Sequence, residues 1–129
     1  MGPSGSGKSR LALGLLQAAG RGALSFARLI ADDRTELEAA HGRLLVRPPP
    51  ALAGLIEIRG VGIGRVPYEP VGVVGLVVEL GAADAARLPE PDRQIVELHR
   101  VRLPRLAVAV HQDPLPMVLG RLWTAASPA

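Results

Sequence analysis

The first nine residues, MGPSGSGKS, place the strongest constraint on the fold. Gly2 to Ser9 read G-P-S-G-S-G-K-S and fit the pattern G-x-x-x-x-G-K-[ST]. Glycines so spaced let successive backbone N–H groups converge on phosphate oxygens, the lysine adds a point charge, and the closing serine offers its hydroxyl to a divalent cation. Such a loop leaves a buried strand and runs into a helix whose N-terminal end is partially positive. The residues behind it comply. Ser9 to Ala19 is rich in leucine and alanine without a β-branched residue, which predicts a helix ended by Gly20 and Gly22. Only Met1 stands ahead of the motif, so the expectation is a chain truncated before the phosphate loop, its first strand absent.

Composition narrows the function classes. A chain of 129 residues without cysteine suits one domain over 1–129 in a reducing, cytoplasmic setting, with no disulfide and no cysteine-bound metal. The net charge of +3 comes from 15 basic and 12 acidic residues spread along the chain, and Lys8 is the only lysine. That modest excess reads as a solvated surface. With single Trp123, Tyr68 and Phe26, no stacking platform for bases is expected, hence no nucleic-acid partner. Lys8 and Arg10 before LALGLLQAAG resemble a secretory signal weakly, since the apolar run is short and holds Gln17. Pro3 spoils the acylation pattern of Met1-Gly2, and no stretch has the length of a membrane span, so no membrane is expected.

Hydrophobic patterning predicts a buried strand from Phe26 to Ala31, closed by Asp32 and Asp33. RLLVR (Arg43–Arg47) and LIEIR (Leu55–Arg59) follow as strands bounded by glycine and proline. Val71–Leu80 reads as one long strand buried on both faces, then Ile95–Leu103 and Arg105–Val110 as two more. The proline-punctuated stretch from Gly81 to Arg93 is predicted as a mobile or substrate-facing loop. Pro114–Ala126, with Trp123, is predicted as a closing helix. The fold class is thus α/β: a strand-rich phosphate-loop domain with a helix after the loop and a C-terminal helix.

Three segments carry candidate chemistry. The first is the loop, Gly2, Pro3, Ser4, Gly5, Ser6, Gly7, Lys8 and Ser9. The second is Asp32-Asp33: an acidic residue at that place in phosphate-loop enzymes orients magnesium or takes the proton of an attacking hydroxyl, and elsewhere such a pair caps a turn. The third is LIEIRGVGIGRV, residues 55 to 66, with Glu57 and Arg59 on one strand face and Gly60, Gly62 and Gly64 beyond it. It fails as a dinucleotide fingerprint, because Arg65 stands where a glycine is required. It reads either as a solvated glycine-rich loop or as a second active-site segment supplying a metal carboxylate and a phosphate-binding guanidinium. His41, His99 and His111 have no metal-ligand spacing.

GPSGSGKSRLAL, RLIADD, PPPALAGLIEIRGVGIGRV and LPRLAVAV, in that order, resemble the catalytic domain of the HPr kinase/phosphorylase family, in its short single-domain form. LIEIRGVGI is the most diagnostic piece. The resemblance implies a protein serine kinase that uses ATP and Mg²⁺ to phosphorylate HPr, the small phosphocarrier of the sugar phosphotransferase system. It also implies a reverse phosphorylase reaction, with inorganic phosphate as the attacking species. By motif, Lys8 would hold phosphates, Ser9 and Glu57 would bind magnesium, and Asp33 would be the proton acceptor, or the donor in reverse. Ile56, Glu57, Ile58, Arg59, Gly60, Val61, Gly62, Ile63, Gly64 and Arg65 would form the segment used in both directions. Arg93 matches the family's catalytic arginine within less similar flanks. A homo-oligomer, commonly a hexamer, is implied as well. Where the family carries a glycine-arginine-asparagine turn linked to dephosphorylation, this chain reads VAVHQDPLPMVL, and the functional histidine upstream of the loop has no counterpart. The alternative is an impaired nucleotide-binding regulator, or a truncated remnant, of the same family.

Overall fold

The computed structural model describes residues 1–2, 7–24, 26–32 and 34–124. The expected positions Pro3, Ser4, Gly5, Ser6 and Asp33, and the last residues assigned to the closing helix, lie outside them. The chain forms α1 (Lys8–Gly20), the hairpin β1 (Glu36–Ala40) and β2 (Arg43–Arg47), and the hairpin β3 (Leu55–Ile58) and β4 (Gly62–Arg65). It continues through β5 (Gly72–Val73), β6 (Val77–Leu80), β7 (Ile95–Leu98), β8 (Val101–Val108) and α2 (Pro114–Thr124). The strands make three small sheets, ordered β1-β2-β5, β3-β4 and β6-β8-β7. Leu44, Val77, Val101 and Leu103 form a buried aliphatic cluster that joins the first sheet to the third.

Several predicted elements are redrawn. Phe26–Ala31 is not a strand: Leu29 alone makes a bridge, parallel to Tyr68, and Leu29 is its only buried residue. The Val71–Leu80 run is divided. Its first part, β5, pairs antiparallel with β2, and its second, β6, pairs parallel with β8, the chain crossing between sheets around Gly75. Burial on both faces fails with it, for β5 is an edge and Val73 is 53% exposed. Ile95–Leu103 folds back on itself. Leu98 pairs with Val101 across a two-residue turn at His99 and Arg100, both with positive φ, and the following strand continues unbroken through Arg105. That is the mirror-image turn geometry whose twist suits a hairpin, reached here without glycine. Arg59 is not on a strand face with Glu57 but lies in the turn after Ile58, and β1 was not anticipated, since ELEAA is built of good helix formers.

The third sheet gains a further partner at its β6 edge. The Met1 ammonium donates to the Val78 carbonyl, and the Leu80 N–H donates to the Met1 carbonyl at 2.7 Å. Donation to one residue before and acceptance from one residue after Glu79 is the slanted ladder of a parallel pair. The residue leading into the phosphate-loop motif therefore takes the place of a strand end beside β6.

Glycine matters for opposite reasons at two positions. Gly54, before β3, has φ +76, and a Cβ there would lie 2.9 Å from the Tyr68 ring and 3.2 Å from the Val66 carbonyl oxygen. Gly120, inside α2, has no atom within 4 Å of that position and keeps an ordinary φ. Gly54→Ala is expected to lower stability in urea denaturation by about 2 kcal/mol or more. Gly120→Ala is expected to raise it by about 1 kcal/mol.

Candidate active site

The site is built where the start of α1 meets the end of the Leu29 segment and the start of the β3–β4 hairpin. Gly7 stands before α1 with φ +98, a conformation that a side chain would strain, and its carbonyl accepts the Leu11 N–H at 2.9 Å. Lys8 and Ser9 are then the first two helical residues. The first turn holds no acidic side chain, which leaves the partial positive charge of the helix start uncompensated from within α1.

Asp32 is the centre of this site. Its Oδ1 accepts the Ser9 hydroxyl at 2.5 Å, and its Oδ2 accepts the backbone N–H of Glu57 at 2.8 Å. One carboxylate thus ties the last motif residue to the third residue of β3, across separations of 23 and 25 in sequence. Hydrogen bonds to a charged acceptor are worth about 1.5–3 kcal/mol each when shielded. The Ser9 proton is committed to Asp32, and among the described residues no group donates to the Ser9 oxygen. A hydroxyl with free lone pairs beside a carboxylate is a hard-oxygen donor set of the kind that suits Mg²⁺, which takes one or two carboxylates and completes its shell with water and phosphate. Among the described residues, no group of three or more His, Cys, Asp or Glu side chains is arranged to hold a metal by itself.

Of the predicted residues, the structure brings together Ser9 and the backbone of Glu57, while Asp33 lies outside the described residues. Asp32, the other half of the pair, has no role assigned to it by the resemblance and is the one that the structure places against Ser9 and Glu57. The signal lies in the pair closing the apolar Phe26–Ala31 segment, but sequence alone does not say what Asp32 bonds to. Residues Ile56 to Arg65 form the β3–β4 hairpin, with Leu55 opposite Arg65 and Ile58 opposite Gly62. Ile56 is buried, and Val61 and Ile63 project from the tip at 80% and 73% exposure.

Arg93 lies in a one-turn 3-10 helix, Pro91–Gln94, just before β7. Its guanidinium meets the Asp84 carboxylate at 3.3 Å and is otherwise more than half exposed. Asp84 also accepts two bonds from Arg105, which hold its carboxyl down to about 2. A carboxyl whose folded pKa is depressed adds stability above its unfolded value, and that stability is lost as pH falls through the folded value. The stability gap between the unaltered chain and Asp84→Asn is therefore expected to stay constant from about pH 8 to pH 5. It should close between about pH 4 and pH 2, as followed by chemical denaturation at each pH.

No protein-family profile matches the chain. Three curated proteins, each named HPr kinase/phosphorylase, align with about half of it. They come from Clostridium tetani (41% identical over 66 residues), Lactobacillus acidophilus (48% over 63) and Clostridium beijerinckii (40% over 62). The aligned segments span 19%, 17% and 18% of those proteins, so the match covers less than a fifth of the curated relatives' length. Among solved structures, the Hpr(Ser) kinase/phosphatase of Coxiella burnetii superposes with a TM-score of 0.75 at 22% identity, covering 97% of this chain and 84% of that one. That likeness establishes a shared fold. Over about half its length the chain is thus similar in sequence to proteins named HPr kinase/phosphorylase, and over nearly all of it the chain shares the fold of the Coxiella burnetii structure.

Proposed function

We propose that this chain is the catalytic segment of an ATP-dependent protein serine kinase whose acceptor is an HPr-type phosphocarrier. The reverse, phosphate-dependent removal of that phosphate would be a second activity of the same site. The observation that carries the reading is the Asp32 carboxylate, bonded at once to Ser9 of the phosphate-loop motif and to the backbone of Glu57 in LIEIRG. The two segments that most resemble the family's signatures are thereby neighbours.

The chemistry then divides among named residues. The motif backbone, Lys8 and the start of α1 bind the nucleotide phosphates and hold the charge of the transferred group. Ser9, Asp32 and Glu57 supply oxygens for magnesium, which when bound neutralises charge on the β- and γ-phosphates. Asp33 takes the proton of the acceptor serine while the bond from serine oxygen to the γ-phosphorus forms and the bond to the bridging oxygen of ADP breaks. A serine hydroxyl is a poor nucleophile, and a carboxylate within hydrogen-bond reach accepts its proton late in a loose transition state. In reverse, inorganic phosphate attacks phosphoserine and Asp33 returns the proton to the leaving oxygen. Arg93 supplies a guanidinium to the developing charge on the phosphoryl oxygens.

The test follows γ-labelled ATP onto an HPr-type carrier in Mg²⁺. Asp33→Asn is expected to cut the rate of labelling by about 10²–10⁴-fold while leaving nucleotide affinity within about twofold. Lys8→Ala should lose both nucleotide affinity and rate. No label on the carrier from the unaltered chain would overturn the reading.

A further inference from the structure

Arg105, on β8, is the one buried charged residue among those described, at 9% exposure. All five of its N–H groups have an acceptor. Nε donates to Glu79 Oε2 at 2.9 Å, and Nη2 donates to Glu79 Oε2 and to Asp84 Oδ1. Nη1 donates to Asp84 Oδ2 and to the main-chain carbonyl oxygen of Arg93, both at 2.9 Å. A guanidinium offers five donors in a rigid fork, so a set of acceptors that uses every one of them fixes three chain segments at once. These segments are β6 through Glu79, the 81–90 loop through Asp84, and the turn that carries Arg93.

The two arginines are held differently. Arg93 is anchored at its base, since its N–H reaches the Glu90 carbonyl at 2.9 Å and its carbonyl receives the buried Arg105 fork. Its tip is loosely held, with one Asp84 contact at 3.3 Å in a solvated setting. Exposed pairs of that kind are worth well under about 1 kcal/mol and are easily exchanged for a phosphate. Glu79, at the other end of the fork, is the residue that Met1 flanks in the parallel ladder leading to the phosphate loop. The fork therefore connects the base of the Arg93 turn to the strand beside the phosphate-loop motif.

We infer that Arg105 is a positioning residue for Arg93: it sets the Arg93 backbone relative to the β6 edge and leaves the Arg93 guanidinium free to swing from Asp84 to a phosphoryl group. This rests on the reading of Arg93 as the arginine that touches the transferred phosphoryl. Arg105 itself touches only protein. Its replacement should act through Arg93 and should spare nucleotide binding, which belongs to the loop and α1.

The experiment uses Arg93→Ala, Arg105→Gln, Arg105→Lys and the double variant Arg93→Ala/Arg105→Gln. Labelling of the HPr-type carrier and nucleotide affinity are measured, together with amide hydrogen exchange over 91–94. Arg105→Gln is expected to speed exchange in that turn about tenfold relative to α1 and to lower kcat toward that of Arg93→Ala. Nucleotide affinity should stay within about twofold. The double variant should be no slower than Arg93→Ala alone, because the two residues act as a unit, and Arg105→Lys, with charge but no fork, should fall between. Unchanged exchange in the turn, or losses that multiply in the double variant, would overturn the inference while leaving the Arg93 reading intact. Unchanged labelling by Arg93→Ala would instead overturn the Arg93 reading. If Arg105→Gln does not fold, Asp84→Asn weakens the same clamp at a more exposed place, and its exchange in the turn must rise for the inference to stand.

Discussion

A guanidinium withdrawn from water is tolerated only when its donors find acceptors, and the penalty for leaving one unpaired is several kcal/mol. Arg105 meets that demand with two carboxylates and a carbonyl, and in doing so dictates where they must be. Glu79 has to stand on the same face of the parallel β6–β8 pair, two residues beyond the Val77 that lies opposite Arg105. The 81–90 loop has to fold back until Asp84 reaches the fork, and the turn before β7 has to point its carbonyl inward. The hydrophobic cluster around Leu44 and Val77 is small, so it excludes water from one side of the third sheet without specifying the loops. The charged cluster supplies that specification. Such a role for buried ion pairs is one of geometry more than of net stability, since a hydrophobic replacement of similar size can be equally stable.

The same division recurs at the candidate site. Aliphatic burial brings α1 and β3 near one another, and a carboxylate then fixes the register between them. Gly14 of α1 lies against Leu115 of α2, close enough that a Cβ would be 3.2 Å from a leucine methyl, so α1 has little freedom to shift along that contact. Asp32 takes up the opposite end by holding Ser9. With one helix face set by packing and its first turn set by a charge-assisted bond, Lys8 and Ser9 are oriented by the fold alone.

The helix behind the phosphate-loop motif, the RLLVR and LIEIR strands and the closing helix are legible in the sequence, because each has a local signature in composition or punctuation. What escaped depends on partners that lie far along the chain. VGVVGLVVEL has one hydrophobic pattern but serves two sheets, and nothing within it tells that Val73 will face Leu45 while Val77 will face Arg105. The His99-Arg100 turn was hidden because positive φ is ordinarily signalled by glycine or asparagine, and here the pull of pairing across β7 and β8 overrides that preference. ELEAA became a strand by the same route, its helix propensity outweighed by the ladder to β2. Arg105 had no signature at all: in RVRLPRLAVAV it is one arginine among several, and only the fold reveals which is buried.

Asp32 and Arg105 also bear on why a site of this kind tolerates a sparse core. A site built from cations, carboxylates and backbone donors needs them placed to within a fraction of an ångström, and aliphatic packing among small sheets is too permissive to hold them there. Charge-assisted bonds with defined directions are less permissive, provided that each polar group is fully matched. In this chain the matched groups are linked in series. Met1 pairs with the backbone around Glu79, Glu79 with Arg105, and Arg105 with Asp84 and the Arg93 carbonyl; separately, Asp32 joins Ser9 to β3. The described residues on either side of the motif's centre are each tied down, Met1 at the sheet edge and Ser9 by the carboxylate that follows Leu29. A change at either anchor should reach Met1 or Ser9 through one or two polar contacts and not through the core.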